Sequence, residues 1–416
     1  MATGTDIGLG VTAQRQSRTL FGVAAAHWLS HVHIMVLPPL FPVLHAKFGL
    51  SYIELGFVIT VFGITSGLTQ APMGALVDRF GARGILIAGM CLGGTAFIAM
   101  GLFPSYPMLL IGATAAGLAN SVYHPADYSL LSTWTDERRM GRAFSIHTFA
   151  GFVGGAMAPV MMAYCVAHFD VQAALILAGS FGPAIALLLI LIGLPDTRTT
   201  NNASSRGSPS NTANPAQLST KPATFWQVCS PAILMLMLFF LLLGLSTGGI
   251  NGFGIAVLIT GYNIDYQTAS LTITCFLGFG AAGVLAGGFL ADKTSRHGMV
   301  AALCFTVNAI IILAVALLTP STIALVISLS LAGFMSGLIA PSRDMLVRKA
   351  APEGASGRAF GIVSTGFNIG SIIGPMIYGY IMDLSLPRIV LLVSAGFMIA
   401  TVLLALVTER SPPKTR

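Results

Sequence analysis

Two pairs of ionisable residues sit at helical spacing in this chain. His27 and His31 are four apart and His124 and Asp127 are three apart, so each pair shares a helix face. Imidazole changes charge near neutral pH, its ordinary pKa being about 6.5, and a carboxylate one turn away can exchange a proton with it. His124 with Asp127 beneath it is therefore read as a group that binds a solute or carries a proton, with His27 and His31 completing a polar patch. Arg343, 216 positions after Asp127, adds a fixed positive charge. Taken singly, each histidine could do no more than hydrogen-bond a neighbouring helix. No tight ligand motif marks a metal site, no nucleophile stands beside a base, and no phosphate-cradling G-x-x-x-x-G-K-(S/T) loop is present. A metal, a cofactor, enzymatic activity and ATP as the drive are accordingly not expected. His33, His45, His168 and His297 fall near segment ends and carry no role, and His147 is left unassigned.

The elements that hold these side chains must be membrane helices. Hydrophobic residues make up 55% of the 416 and charged ones 8%, against about 25% charged in an average soluble domain. Apolar runs of about 20 residues, enough to cross a bilayer, recur along the whole chain. Twelve are expected, at 19–42, 52–77, 82–103, 106–132, 141–166, 171–194, 225–258, 267–290, 298–318, 321–347, 356–382 and 387–408. An ionisable group at the centre of such a span costs about 2.5–3.5 kcal/mol, so each one in it requires a reason. The net charge of +7 is scattered through short loops and implies topology, with no nucleic-acid partner. All Lys and Arg except Lys47 and Arg388 fall on one face, which places both termini in the cytoplasm. Cys91, Cys165, Cys229, Cys275 and Cys304 lie in apolar segments without paired spacing and are read as reduced packing residues. No removable signal peptide is expected at the polar N-terminus.

The chain repeats itself at half its length. Gly112 to Phe144 is echoed 216 positions later by Ser328 to Phe360, ending in Gly141-Arg142-Ala143-Phe144 and Gly357-Arg358-Ala359-Phe360. Gly117 answers Gly333, Pro125 answers Pro341 and Pro159 answers Pro375. The domain plan is a tail 1–18, a six-helix bundle 19–194, a linker 195–224 rich in Ser, Thr, Asn and Pro, a second bundle 225–408, and a tail 409–416. The linker's Asn202-Ala203-Ser204 is a glycosylation sequon by pattern only. Small residues every four positions, Ala150, Gly154 and Ala158 with their counterparts Gly366, Gly370 and Gly374, are expected to pack helices across the two halves.

Gly74, Asp78, Arg79, Gly81 and Arg83 form a G-x-x-x-D-R-x-G-x-R loop after the second span, and Gly288 with Asp292 begins a degraded copy 214 positions on. With the twelve spans and the parallel halves, this resembles the major facilitator superfamily of secondary transporters. His27-Trp28-Leu29-Ser30-His31, Leu37-Pro38-Pro39 and Tyr123-His124-Pro125 look like its fosmidomycin-resistance group, in which an acidic residue stands where this chain has His31. The resemblance implies that Asp78 caps the eleventh helix near Gly357, so that the loop, Asp292, Arg142 and Arg358 belong to a gate. It implies that the first, fourth, seventh and tenth helices line a cavity, adding Ser246, Thr247 and Asn251 as polar candidates. Asp127 and Arg343, at matched repeat positions, are expected to pair when the cytoplasmic side closes. Gln70, Asn308 and Asn368 are expected to act as interhelical glue.

The expectation is thus an all-α membrane protein in two parallel six-helix pseudo-repeats, working by alternating access in the plasma (inner) membrane as a monomer. It would export a small drug-like or organic anion by proton coupling. An importer or uniporter of small organic acids is the alternative, and a non-transporting membrane sensor a remoter one. Its partners are a small solute, protons and lipid.

Overall fold

The computed structural model describes residues 5–136, 139–197, 229–352 and 355–410, and every long regular element among them is an α-helix. They are α1 (Thr5–Ile34), α2 (Leu37–Phe48), α3 (Tyr52–Phe80), α4 (Ala82–Leu102), α5 (Tyr106–Trp134), α6 (Met140–His168) and α7 (Val171–Leu191). After the linker, most of which lies outside the described residues along with Asn202, come α8 (Pro231–Tyr262), α9 (Tyr266–Lys293), α10 (His297–Leu317), α11 (Thr322–Ala350), α12 (Ser356–Asp383) and α13 (Pro387–Arg410). Among the described residues, eleven segments are long and apolar enough to cross a membrane, with α1 and α2 counted together as Ala13–Phe48. The twelfth span is α5, long enough at 29 residues but made more polar by Asn120, Ser121, His124 and Asp127.

The first span is interrupted where the sequence suggested one continuous helix over 19–42. Pro38 and Pro39 have no N–H to offer the carbonyls of Ile34 and Met35, so the helix stops at Ile34 and restarts at Leu37. The prolines then occupy first-turn positions, where a missing N–H costs nothing. The interruption lies just beyond His31 and His33.

Two compact units are present, Met1–Leu37 with Val61–Asn211, and Pro38–Thr60 with Thr212–Arg416. In the first, α1 packs on α5 and α6, and α4 on α5 and α7. In the second, α8 packs on α12 and α13, α9 on α11, and α10 on α11 and α13. The repeat is legible contact by contact. Gly117 lies against the Phe62 carbonyl and Gly333 against the Phe276 carbonyl; Gly154 lies against Trp28 and Gly370 against Leu241. These last contacts correct the expected role of the small-residue stripes. Gly154 brings α6 onto α1, and Gly366 and Gly370 bring α12 onto α8, so each stripe closes a helix pair inside its own unit. Asn308 Nδ2–H donates to Ser336 Oγ at 2.7 Å, the interhelical glue expected of it.

Candidate functional site

Three helices of the first unit converge on one carboxylate. α1 brings His27, α5 brings Asp127 and α6 brings His147, all buried, with Asp127 fully enclosed. Their backbones are fixed by an apolar cluster that includes Val23, Leu29, Met90, Val122, Ala126 and Leu130. Close approach of α6 to α1 depends on Gly151. A methyl there would come within 2.7 Å of His27 Cδ2 and 2.8 Å of His31 Cδ2.

His147 Nε2 lies 3.0 Å from Asp127 Oδ2, a hydrogen bond that needs one proton, whichever partner holds it. His27 Nδ1 lies 3.6 Å from the same oxygen, within ion-pair range and beyond a hydrogen bond. The His27 and His147 rings stack with centroids 3.7 Å apart and planes at 26°. His31 approaches His27 to 4.7 Å between centroids and His124 approaches it to 5.3 Å. Tyr128 completes the group, 5.7 Å from both His124 and His147. His31 is half-buried and His124 and Tyr128 are exposed, so the group has an open lip over a closed floor.

That floor is under-satisfied. Asp127 Oδ1, His27 Nδ1, His147 Nδ1 and the Tyr123 hydroxyl are buried and find no hydrogen-bond partner among the described residues. Buried polar groups are nearly always paired, so four orphans in one place mark a site built for something besides packing. The ligand atoms of His27, Asp127 and His147 lie within 4.8 Å of one another, close enough to hold a metal ion by distance. The near-parallel stack argues against that use, because the two imidazole lone pairs do not converge on one point. A proton shared along the Asp127–His147 bond needs no such convergence.

The structure thus brings together His27, His31, His124 and Asp127 as the spacing suggested, and adds His147, which was left unassigned. The available signal for His147 was the repeat itself. Its counterpart 216 positions on is Val363, fully buried, so a titratable group had been placed at a core position.

Arg343 makes contacts within the second unit. Its Nε–H donates to Asp344 Oδ1 at 2.9 Å and its guanidinium lies 4.7 Å from the Phe240 ring centroid, while Asp127 is engaged by the histidines. Asn251 is half-buried, with its side-chain carbonyl unpartnered. Ser246 and Thr247 spend their hydroxyls on the Leu243 carbonyl one turn back.

The loop around Gly81 is braced from within its own unit. Gly81 has φ of 86° and any side chain there would strike the Asp196 carboxylate. Asp196 Oδ1 accepts from Arg83 N–H at 3.3 Å and Thr197 Oγ1 accepts from Ala82 N–H at 3.1 Å, which caps α4. Asp78, Arg79, Asp292, Arg142 and Arg358 are exposed, and Gly74 and Arg83 are half-buried.

Comparison with known proteins agrees with this layout. The profile of the Major Facilitator Superfamily matches residues 23–250 and 236–416. The fosmidomycin resistance protein of Escherichia coli K12 is 25% identical over 289 residues, 68% of each chain. The membrane sensor protein UhpC of the same strain is 24% identical over 253 residues, 59% of this chain and 57% of its own. Among solved structures, a bacterial homologue of the human lysosomal transporter Spinster superposes with a TM-score of 0.74 at 15% identity. That superposition covers 96% of this chain and 99% of the other and shows a shared fold.

Proposed function

The chain belongs to the major facilitator superfamily, and on that premise we propose that this multi-pass secondary transporter couples the movement of a small organic or drug-like anion to protons carried by the Asp127–His147 pair. One observation carries the reading. Asp127 is wholly buried, yet one of its oxygens has no partner and the other is bonded to a titratable ring. Burying a bare charge costs several kcal/mol, and a proton shared with His147 removes most of that cost. Loading and unloading this proton changes the charge of a group that faces His27 and His31 and opens at His124, where an anion can be received.

Two directions of transport each have support. Likeness to a protein named for fosmidomycin resistance supports export of a drug-like anion. The chemistry of the site favours the opposite coupling: a protonated histidine group attracts an anion, so solute and proton move together and an inward gradient drives uptake. The Asp78 loop and its partial copy at Asp292, with Arg142 and Arg358, act as the cytoplasmic gate. The inner membrane of a bacterium, with both termini cytoplasmic, fits the charge asymmetry of the loops and the bacterial relatives.

The test uses proteoliposomes with an imposed pH gradient of either sign. Phosphonates, monocarboxylates and cationic drugs are added singly while lumenal pH is followed. Solute-dependent proton movement that Asp127→Asn abolishes is the expected result. Its sign separates uptake from export. Solute crossing with no proton movement overturns the coupling, and solute binding with no crossing favours a sensor, the activity named for UhpC.

A further inference from the structure

Helix α3 starts in the second unit, which includes Pro38–Thr60, and continues into the first. Its opening turn is nearly self-sufficient. Ser51 N–H donates to Glu54 Oε2 at 2.8 Å while Glu54 N–H donates to Ser51 Oγ at 3.2 Å, a reciprocal capping box. Leu55 N–H reaches the Ser51 carbonyl at 3.1 Å. Two donors of the first turn remain, and both go to one distant side chain. Tyr52 N–H donates to Asp383 Oδ1 at 2.7 Å and Ile53 N–H to Asp383 Oδ2 at 2.9 Å.

Asp383 is the last residue of α12. Its carboxylate meets the positive end of a 29-residue helix, where anionic charge is stabilised. Below it the two helices run in backbone contact. Gly379 lies on the Tyr52 carbonyl and Gly56 on the Pro375 carbonyl, and Thr60 Oγ–H donates to the Ile372 carbonyl at 2.8 Å. Tyr266 adds a tie to the preceding segment, its hydroxyl donating to the Pro39 carbonyl at 3.0 Å.

Because the capping box already satisfies the rest of the turn, Asp383 is not needed to make α3 helical. It docks a helix whose first turn is otherwise held by its own capping box. We propose that Asp383 is a releasable latch: its bidentate cap fastens the start of α3 to the end of α12, and release of that cap frees this end of α3 during the transport cycle. The inference rests on the alternating-access reading above. Asp383 stands at the C-terminal end of α12 and serves the N-terminal end of α3.

The experiment reads accessibility at position 60, under the latch. Thr60→Cys is introduced into a variant with the native cysteines replaced by serine or alanine, reconstituted in vesicles and exposed to a membrane-impermeant maleimide. Asp383→Ala should raise the labelling rate roughly tenfold, the scale of losing one helix cap, and Asp383→Asn, which keeps one acceptor, should fall between. Labelling unchanged in both variants while the melting temperature drops would make the cap purely structural and overturn the latch. Solute flux is followed in separate vesicles with Thr60 intact, so a protein that moves no solute is told apart from a latch that does not open. A variant that no longer folds is recognised by its melt, and Asp383→Asn then carries the test.

Discussion

The two units place different chemistry at equivalent positions. In the first, Asp127 sits with His27 and His147. In the second, the repeat counterparts are Arg343, Phe240 and Val363: the helix contacts that align Trp28 with Leu241 set His27 opposite Phe240. The first group is a buried carboxylate with an orphaned oxygen and titratable neighbours. The second is a half-buried guanidinium resting on a phenyl ring, its Nε–H bonded to the adjacent Asp344. One scaffold, duplicated, keeps its glycine contacts in both copies and diverges at these side chains. A charge that can be removed by a proton belongs to the first unit, and a charge that cannot belongs to the second.

The largest effect should come from removing the titratable charge. Asp127→Asn is expected to lower solute-dependent proton flux by at least about tenfold, equivalent to ~1.4 kcal/mol in the barrier, without lowering the melting temperature. Converting the first unit toward the second is the next test. His147→Val leaves the Asp127 carboxylate without its hydrogen bond and should cost about 1–3 kcal/mol. The same change made on top of Asp127→Asn should cost less, and a double-mutant cycle by thermal unfolding measures the difference; simple additivity would mean that the two side chains do not work as a pair.

Gly151→Ala sharpens the geometry without touching a polar group. The added methyl must displace His27 and His31, with a stability loss of about 1–3 kcal/mol typical of overpacking and reduced coupling. A variant with normal proton flux would show that ring placement is not critical. Arg343→Met probes the second unit: loss of a partly exposed cation–π contact is worth roughly 0.5–1 kcal/mol, read from the melt. The smallest effect is expected at Asp265, which caps α9 by accepting from Thr268 N–H at 2.9 Å. That bond holds its carboxyl below the usual range. The stabilisation is therefore present above the unfolded value near 3.9 and lost as pH falls through the lower folded one. Asp265→Ala should cost about 0.5–1 kcal/mol at neutral pH, and the difference from wild type should shrink as the melt is repeated toward about pH 3.

Asp127 and Asp383 extend the comparison. Both are carboxylates held by other helices, yet Asp383 uses both oxygens on backbone N–H groups and Asp127 leaves one idle. Full satisfaction fits a contact that is closed in this conformation; the idle oxygen of Asp127 fits a group that gains and loses a proton.

The sequence by itself determined the class and the plan. Few charges, runs of bilayer length and a half-chain repeat leave only paired helical bundles in a membrane, because lipid offers backbone groups no other partner. The G-x-x-x-D-R motif of Gly74, Asp78 and Arg79 and the face shared by His124 and Asp127 are likewise local properties of chain spacing. Tertiary structure decided which polar groups meet. His147 reaches Asp127 across 20 residues and two helices, through a rotation of α6 that helical period alone does not set. The small-residue stripes suggested contacts between the halves, and only the packing of α6 on α1 and α12 on α8 shows them closing helix pairs within each unit. Asp383 and Tyr52 are 331 residues apart. No local signal joins them, because their bond depends on two helices that the fold, and not the chain, brings side by side.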